Sequence, residues 1–228
     1  MTLNKTRGNM YSFVTHTWNT VKGKCPHDCS YCYMKQWGEQ PELHFDEKEL
    51  KIDLGVGNFI FVGSSCDMWA RDIPEEWIIK TLAHCRLYPN DWLFQSKNPG
   101  RFRWFYGQFS GPRIVFGTTI ETNRESDVCK EAPSIFDRYV AISEIGGQGD
   151  GEEVMVTIEP IMDFDLKPMV EMFVDIEPQW VNIGADSGAH NLHEPPVEKI
   201  KELIAELSKF TEVKLKKNLK RILEERKE

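Results

Sequence analysis

Short apolar runs separated by polar turns recur along the whole chain. The pattern predicts strands at Phe13–Trp18, Phe59–Val62, Trp92–Gln95, Ile114–Gly117, Val154–Ile158, Trp180–Ile183 and Val213–Leu215, most of them rich in the β-branched and aromatic residues that suit a pleated surface. Two intervening segments carry a clear helical period. Pro74–Leu87 opens on proline and two glutamates, a good first turn, and Val197–Leu207 places Val197, Ile200, Leu203, Ile204 and Leu207 on one face. Alternating strand and helix units imply an α/β fold with a parallel sheet and helices outside it. Units of roughly 20 to 40 residues give about six or seven repeats, fewer than the eight of a closed barrel. The expected fold is therefore a partial (β/α)6 TIM-like barrel of parallel strands with outer helices, in one domain spanning 1–228. Gly146–Gly151 reads as a loop before the fifth core strand, and Lys216–Lys227 as a basic terminal helix.

Composition narrows the picture. A chain of 228 residues that is 40% hydrophobic and 28% charged can bury one substantial core. The opening segment MTLNKTRGNMYSF has no apolar leader core, and no run approaches the roughly 20 apolar residues needed to span a bilayer. The expectation is a cytoplasmic protein with no membrane partner. Its net charge of −8 opposes binding to a nucleic-acid backbone unless basic groups gather locally. The best local candidates are Arg101-Phe102-Arg103-Trp104-Phe105-Tyr106 and the terminal Lys217, Lys220 and Arg221. The same runs also read as ordinary barrel helices with a solvated face.

Six cysteines sharpen the chemistry, because three of them fall within eight positions. Cys25-Pro26-His27-Asp28-Cys29-Ser30-Tyr31-Cys32 has C-x3-C-x2-C spacing and follows the first strand. Three thiolates ligate three irons of a [4Fe–4S] cubane and leave the fourth iron without a protein ligand. That iron is free to chelate the amino nitrogen and carboxylate of S-adenosylmethionine. The competing reading is a zinc site completed by His27 or His44, or simply buried thiols. No second C-x2-C or matching histidine pair is present to favour zinc. Cys85 falls on the apolar face of its predicted helix as a core thiol, and Cys129 has no partner spacing for a second cluster.

With an aromatic at Tyr31, the loop resembles that of the radical S-adenosylmethionine superfamily, whose core is a partial (β/α)6 barrel. A closer resemblance, along nearly the whole chain, is to a phage- and prokaryote-associated family of unknown function distantly similar to spore photoproduct lyase. Its landmarks occur in order as Thr17-Trp18-Asn19, Phe61-Val62-Gly63-Ser64 with Asp67, Ser96-Lys97-Asn98-Pro99, Gly117-Thr118-Thr119-Ile120-Glu121, Ile158-Glu159-Pro160 and Trp180-Val181-Asn182-Ile183-Gly184-Ala185-Asp186-Ser187-Gly188. The resemblance implies reductive cleavage of S-adenosylmethionine to a 5′-deoxyadenosyl radical that abstracts hydrogen from a substrate. It also implies an electron donor of flavodoxin or ferredoxin type.

Each predicted strand ends in polar or ionisable residues, and such ends converge at the mouth of an α/β barrel. By the resemblance, Gly63, Ser64 and Ser65 receive the methionine amino group, and Lys97 its carboxylate. Thr119 and Glu121 hold the ribose, while Gly184, Ala185 and Asp186 pass the adenine, with Tyr31 also on the cofactor. Ser, Thr and Asp at these junctions also serve as helix caps. Glu159, a carboxylate costly to bury unpaired, is expected to contact substrate or cofactor. Cys66 is a candidate hydrogen-atom donor to a product radical, as a cysteine is in spore photoproduct lyase, and reads equally as an inert thiol. Three function classes follow: a radical enzyme on an unidentified substrate, the same chemistry on damaged or modified nucleic acid, and a non-catalytic metal-binding module.

Overall fold

The computed structural model describes residues 3–146 and 152–224. Among the described residues there are ten strands: β1 Asn4–Lys5, β2 His16–Trp18, β3 Val21–Lys22, β4 His44–Phe45, β5 Phe59–Val62, β6 Asp91–Gln95, β7 Ile114–Thr119, β8 Glu153–Ile158, β9 Trp180–Ile183 and β10 Glu212–Leu215. The helices are α1 Glu75–Cys85, α2 Ile135–Gly146, α3 Leu166–Ile176, α4 Val197–Leu207 and a short α5 Lys220–Leu223. Eight strands form one sheet in the order β1-β2-β5-β6-β7-β8-β9-β10, while β3 and β4 make a separate antiparallel pair. From β2 to β10 every neighbouring pair is parallel, and only the edge strand β1 runs antiparallel. The sheet ends at β1 and β10 without closing. This is the expected open, parallel α/β architecture, with one parallel strand beyond six.

Alternation along each strand sorts two cores. Ile60, Val62, Trp92, Phe94, Phe116, Val154, Val156 and Val181 point outward into the main core, where α1 to α4 bury Ile78, Leu82, Ile142, Met169, Phe173, Ile200 and Leu203. Phe59, Leu93, Val115, Met155 and Trp180 point inward and form a second cluster with Tyr11, Phe13 and Val14. The first predicted strand is consequently shorter than Phe13–Trp18. Phe13 leaves the extended path to stack on Tyr11 and meet Trp180 edge-on at 5.1 Å, filling the interior that an unclosed sheet leaves open.

Two of the four long helices carry weak sequence signals. On α2 the core-facing position between Ile135 and Ile142 is taken by Arg138, which interrupts the apolar stripe. On α3, Pro168 sits in the opening turn of Leu166–Ile176. The Arg101–Tyr106 run lies in a 3₁₀ helix, Pro99–Gln108, and the basic C-terminal segment is a 3₁₀ turn at Lys217–Leu219 followed by α5 rather than one long helix. The glycine-rich stretch 147–151 and residues 225–228 lie outside the described residues. Among the described residues no helix is long and apolar enough to cross a membrane.

Candidate active site

The C-terminal ends of the parallel strands open onto a cavity of about 480 Å³, a size typical of small-molecule sites. The cysteine loop forms one wall, the strand ends a second, and Arg7, Asn9, Met10 and Tyr11 a third. Cys25, Cys29 and Cys32 all line this space, as do Tyr31, Gly63, Ser64, Ser65, Cys66, Lys97, Thr119, Glu159, Ala185 and Asp186. Glu121 and Gly184 do not.

The loop is built from tight turns. The Asp28 amide donates to the Cys25 carbonyl at 3.1 Å, the Cys32 amide to that of Cys29 at 3.1 Å, and Ser30 to Val128 at 2.8 Å. Asp28 lies in the left-handed region at φ 40, which reverses the chain between the first two cysteines. All six cysteines are free thiols. A hydrogen bond from Cys66 draws the Cys25 pKa down, and one from Cys129 does the same for Cys29. Among the described residues, no three His, Cys, Asp or Glu side chains converge as ligands of one metal ion. A cubane asks for something different, since its three ligated irons occupy separate corners. Three separate free thiols facing one cavity fit that group.

Asp67 ties the loop to the sheet. Its Oδ2 accepts from His27 Nε2, Ser96 Oγ and the Lys97 amide, each at 2.9 Å, and its Oδ1 accepts from the Trp69 amide at 2.9 Å. Burial alone would raise the Asp67 pKa, but His27 and these donors hold it below the usual carboxylate range. Asn19 braces the neighbouring strand end, accepting from the Ser65 amide at 2.9 Å and Ser64 Oγ at 3.3 Å. Gly63 stands at φ +83, a conformation that costs glycine nothing and a β-carbon residue a good deal.

Glu121 is fully buried. Arg138 Nη1 donates to its Oε2 at 2.9 Å and its Oε1 at 3.2 Å, the Tyr31 phenol donates to Oε1, and Lys97 Nζ lies 3.8 Å away. Burial would raise the carboxyl pKa, yet Arg138, then Lys97 and Tyr31, hold it low. Its stabilising contribution is therefore present above the unfolded carboxylate pKa and is lost as pH falls through the lower folded value. Removing the charge from such a buried pair costs about 3–5 kcal/mol. Glu121→Gln is expected to lower stability by that order at pH 7, and the gap to wild type should shrink as pH drops below about 4.3. Urea melts across this range check it; a gap independent of pH would show the ionised pair contributes nothing.

Glu159 is a second firmly anchored carboxylate at the mouth. Lys216 Nζ donates to Oε2 at 2.6 Å, and Asn9 Nδ2 and Asn218 Nδ2 donate to Oε1, each at 2.8 Å. A β-carbon on Gly184 would lie 2.6 Å from Glu159 Oε1, so the missing side chain there makes room for this carboxylate. Gly184→Ala should displace Glu159 and destabilise by about 1–3 kcal/mol, measurable as a lower urea midpoint. Further down, the Tyr11 phenol bonds Thr157 at 2.8 Å and Gln95 at 2.9 Å, forming the cavity floor. The neighbouring backbone is already engaged: Ala185 O accepts from Asn218 at 2.6 Å, Asp186 O from Arg221 at 2.8 Å, and the Asp186 amide donates to Glu194 at 3.1 Å.

Asn9 and Tyr11, the N-terminal contributors, carried no sequence signal, because their placement depends on the chain folding back into the open barrel. Gln95 and Thr157 were findable, since they occupy inward positions two residues beyond Leu93 and Met155. Arg101, the first basic residue of the Arg101–Tyr106 run, is buried. Its guanidinium donates to the backbone carbonyls of Ala70 and Ile73 and is spent on holding the chain.

An open parallel α/β barrel with a thiol-rich, polar mouth defines the class. No protein-family model and no curated protein sequence matches the chain. Among solved structures it overlays a variant of spore photoproduct lyase at a TM-score of 0.64 and 11% identity, over 91% of this chain and 78% of that one. A second variant, with bound AdoMet and dinucleoside spore photoproduct, matches at 0.56 and 12%, over 89% of this chain and 64% of that one. Methylornithine synthase matches at 0.50 and 11%, over 86% and 63%. The chain thus spans less than two thirds of the length of the last two. Both proteins are radical S-adenosylmethionine enzymes, and this chain has their fold.

Proposed function

We propose that the chain is a radical S-adenosylmethionine enzyme in which Cys25, Cys29 and Cys32 hold a [4Fe–4S] cluster and S-adenosylmethionine occupies the adjoining cavity. The observation that carries this is the meeting of three free thiols, at C-x3-C-x2-C spacing, with the polar strand ends around one cavity. When bound, the cluster supplies the electron that splits S-adenosylmethionine into methionine and a 5′-deoxyadenosyl radical, which takes hydrogen from the substrate. The chain's own residues bind and orient. Gly63, Ser64 and Ser65 face the methionine amino group, Lys97 its carboxylate, Thr119 the ribose, and Ala185 and Asp186 the adenine. Glu159, fixed by three donors, presents a carboxylate edge to the substrate. Cys66, a buried thiol on the cavity wall, returns a hydrogen atom to the product radical. An external one-electron donor of flavodoxin or ferredoxin type completes the cycle.

The test is anaerobic reconstitution followed by dithionite and S-adenosylmethionine, with 5′-deoxyadenosine measured by chromatography. Its absence from protein carrying a full cluster would overturn the reading. A nucleic-acid target is the second reading, favoured by the dinucleoside held in the similar lyase structure. Salt-sensitive binding to single strands or duplexes supports it, and no binding at low salt removes it.

A further inference from the structure

Resting on the proposed function, we infer that Glu121 and Arg138 are positioning residues: they fix the Tyr31 phenol, and through it the cysteine loop, instead of holding a ribose. Three observations carry this. Glu121 stands off the cavity with no exposed surface, while Tyr31 lines it. Both carboxylate oxygens are engaged by Arg138, and the phenol shares Oε1. Arg138 is itself locked, donating to the Thr119 carbonyl at 3.1 Å and the Pro133 carbonyl at 2.8 Å.

The geometry makes a chain of rigid contacts from α2 to the loop. The Arg138 guanidinium sets the carboxylate plane, and the carboxylate sets the phenol. The Tyr31 ring then lies beneath Lys97 Nζ, 5.2 Å from its centroid, and its hydroxyl accepts from Cys129 Sγ at 3.4 Å. Tyr31 is one residue from Cys32 and two from Cys29, so fixing its ring fixes the loop that carries them. A carboxylate used for ribose would need an open oxygen on the cavity side.

Three variants of the whole chain test this: Tyr31→Phe, Glu121→Gln and Arg138→Met. Arg138→Met strands a buried carboxylate and Glu121→Gln a buried guanidinium, so both are at risk of misfolding; Tyr31→Phe removes only a hydroxyl and keeps the inference testable. The first readout needs no cofactor. In the reduced, metal-free protein, amide exchange across residues 25–33 should quicken about tenfold or more in Glu121→Gln and Tyr31→Phe. Unchanged exchange overturns the inference.

The second readout is S-adenosylmethionine affinity after reconstitution, analysed as cycles. Glu121→Gln should weaken binding about tenfold, and adding Tyr31→Phe should weaken it little further. Combined with a 2′-deoxyribose or 3′-deoxyribose analogue of S-adenosylmethionine, the Glu121→Gln loss should instead multiply with the loss from the missing hydroxyl. If the carboxylate held the ribose, that second cycle would be non-additive and the first additive, which overturns the inference. Should the wild type take up no iron and no S-adenosylmethionine, the proposed function fails, and the exchange experiment still judges the positioning role.

Discussion

Replacing Cys29 with alanine will reduce the iron retained after anaerobic reconstitution to background and abolish 5′-deoxyadenosine formation. Two remaining thiolates cannot ligate three irons of a cubane. Cys29 is also the central member of the loop, buried, with its carbonyl accepting from the Cys32 amide at 3.1 Å. Residual iron in the single variant would point to Cys129, a buried thiol beside Cys29 that does not line the cavity. The decisive variant is therefore the double Cys29→Ala, Cys129→Ala protein. Full iron content in that double variant would refute the ligand assignment. Cys85→Ala serves as the control, because that thiol lies buried on α1 away from the cavity, and its iron content should match wild type.

Trp69→Ala will lower stability by about 3–5 kcal/mol. Trp69 has no exposed surface and meets Phe102 edge-on at 4.9 Å, Phe94 at 5.8 Å and Phe105 at 5.8 Å. No small movement of three packed rings refills the space of an indole. A loss of this size is a large fraction of the roughly 5–15 kcal/mol that holds a typical domain folded. Its position adds a second consequence. The Trp69 amide donates to Asp67 at 2.9 Å, and Asp67 holds His27 inside the cysteine loop. Trp69→Phe should cost less, since it keeps most of the ring contacts and removes an indole Nε1 that is buried with no hydrogen-bond partner among the described residues. Equilibrium urea unfolding measures both, and a Trp69→Ala loss below about 1 kcal/mol would mean the aromatic cluster is not cooperative.

How much was readable beforehand differs by element. Strand β5 at Phe59–Val62, strand β9 at Trp180–Ile183 and helix α4 at Val197–Leu207 fall where the pattern puts them, because each segment buries one consistent face. Helix α2 was obscured by Arg138, a charge at a core position whose partner, Glu121, lies 17 residues away. Position along a strand marked Glu121 as polar and near the mouth. Only packing shows that its carboxylate is turned from the cavity to a guanidinium on the next helix. Gly184 is similar: the glycine is visible in the sequence, but the carboxylate that needs its missing β-carbon arrives from Glu159.

The sequence by itself determined the α/β alternation and the cysteine loop, because hydrophobic period and thiol spacing are local properties written in consecutive residues. It also determined which positions end each strand in polar groups. Tertiary structure decided which of those groups share the cavity with Cys25, Cys29 and Cys32, and which are committed elsewhere. That division has one physical cause. A buried polar group must find a partner, and for Glu121, Glu159, Asp67 and Tyr11 the partner comes from a distant part of the chain that only folding brings within hydrogen-bond reach.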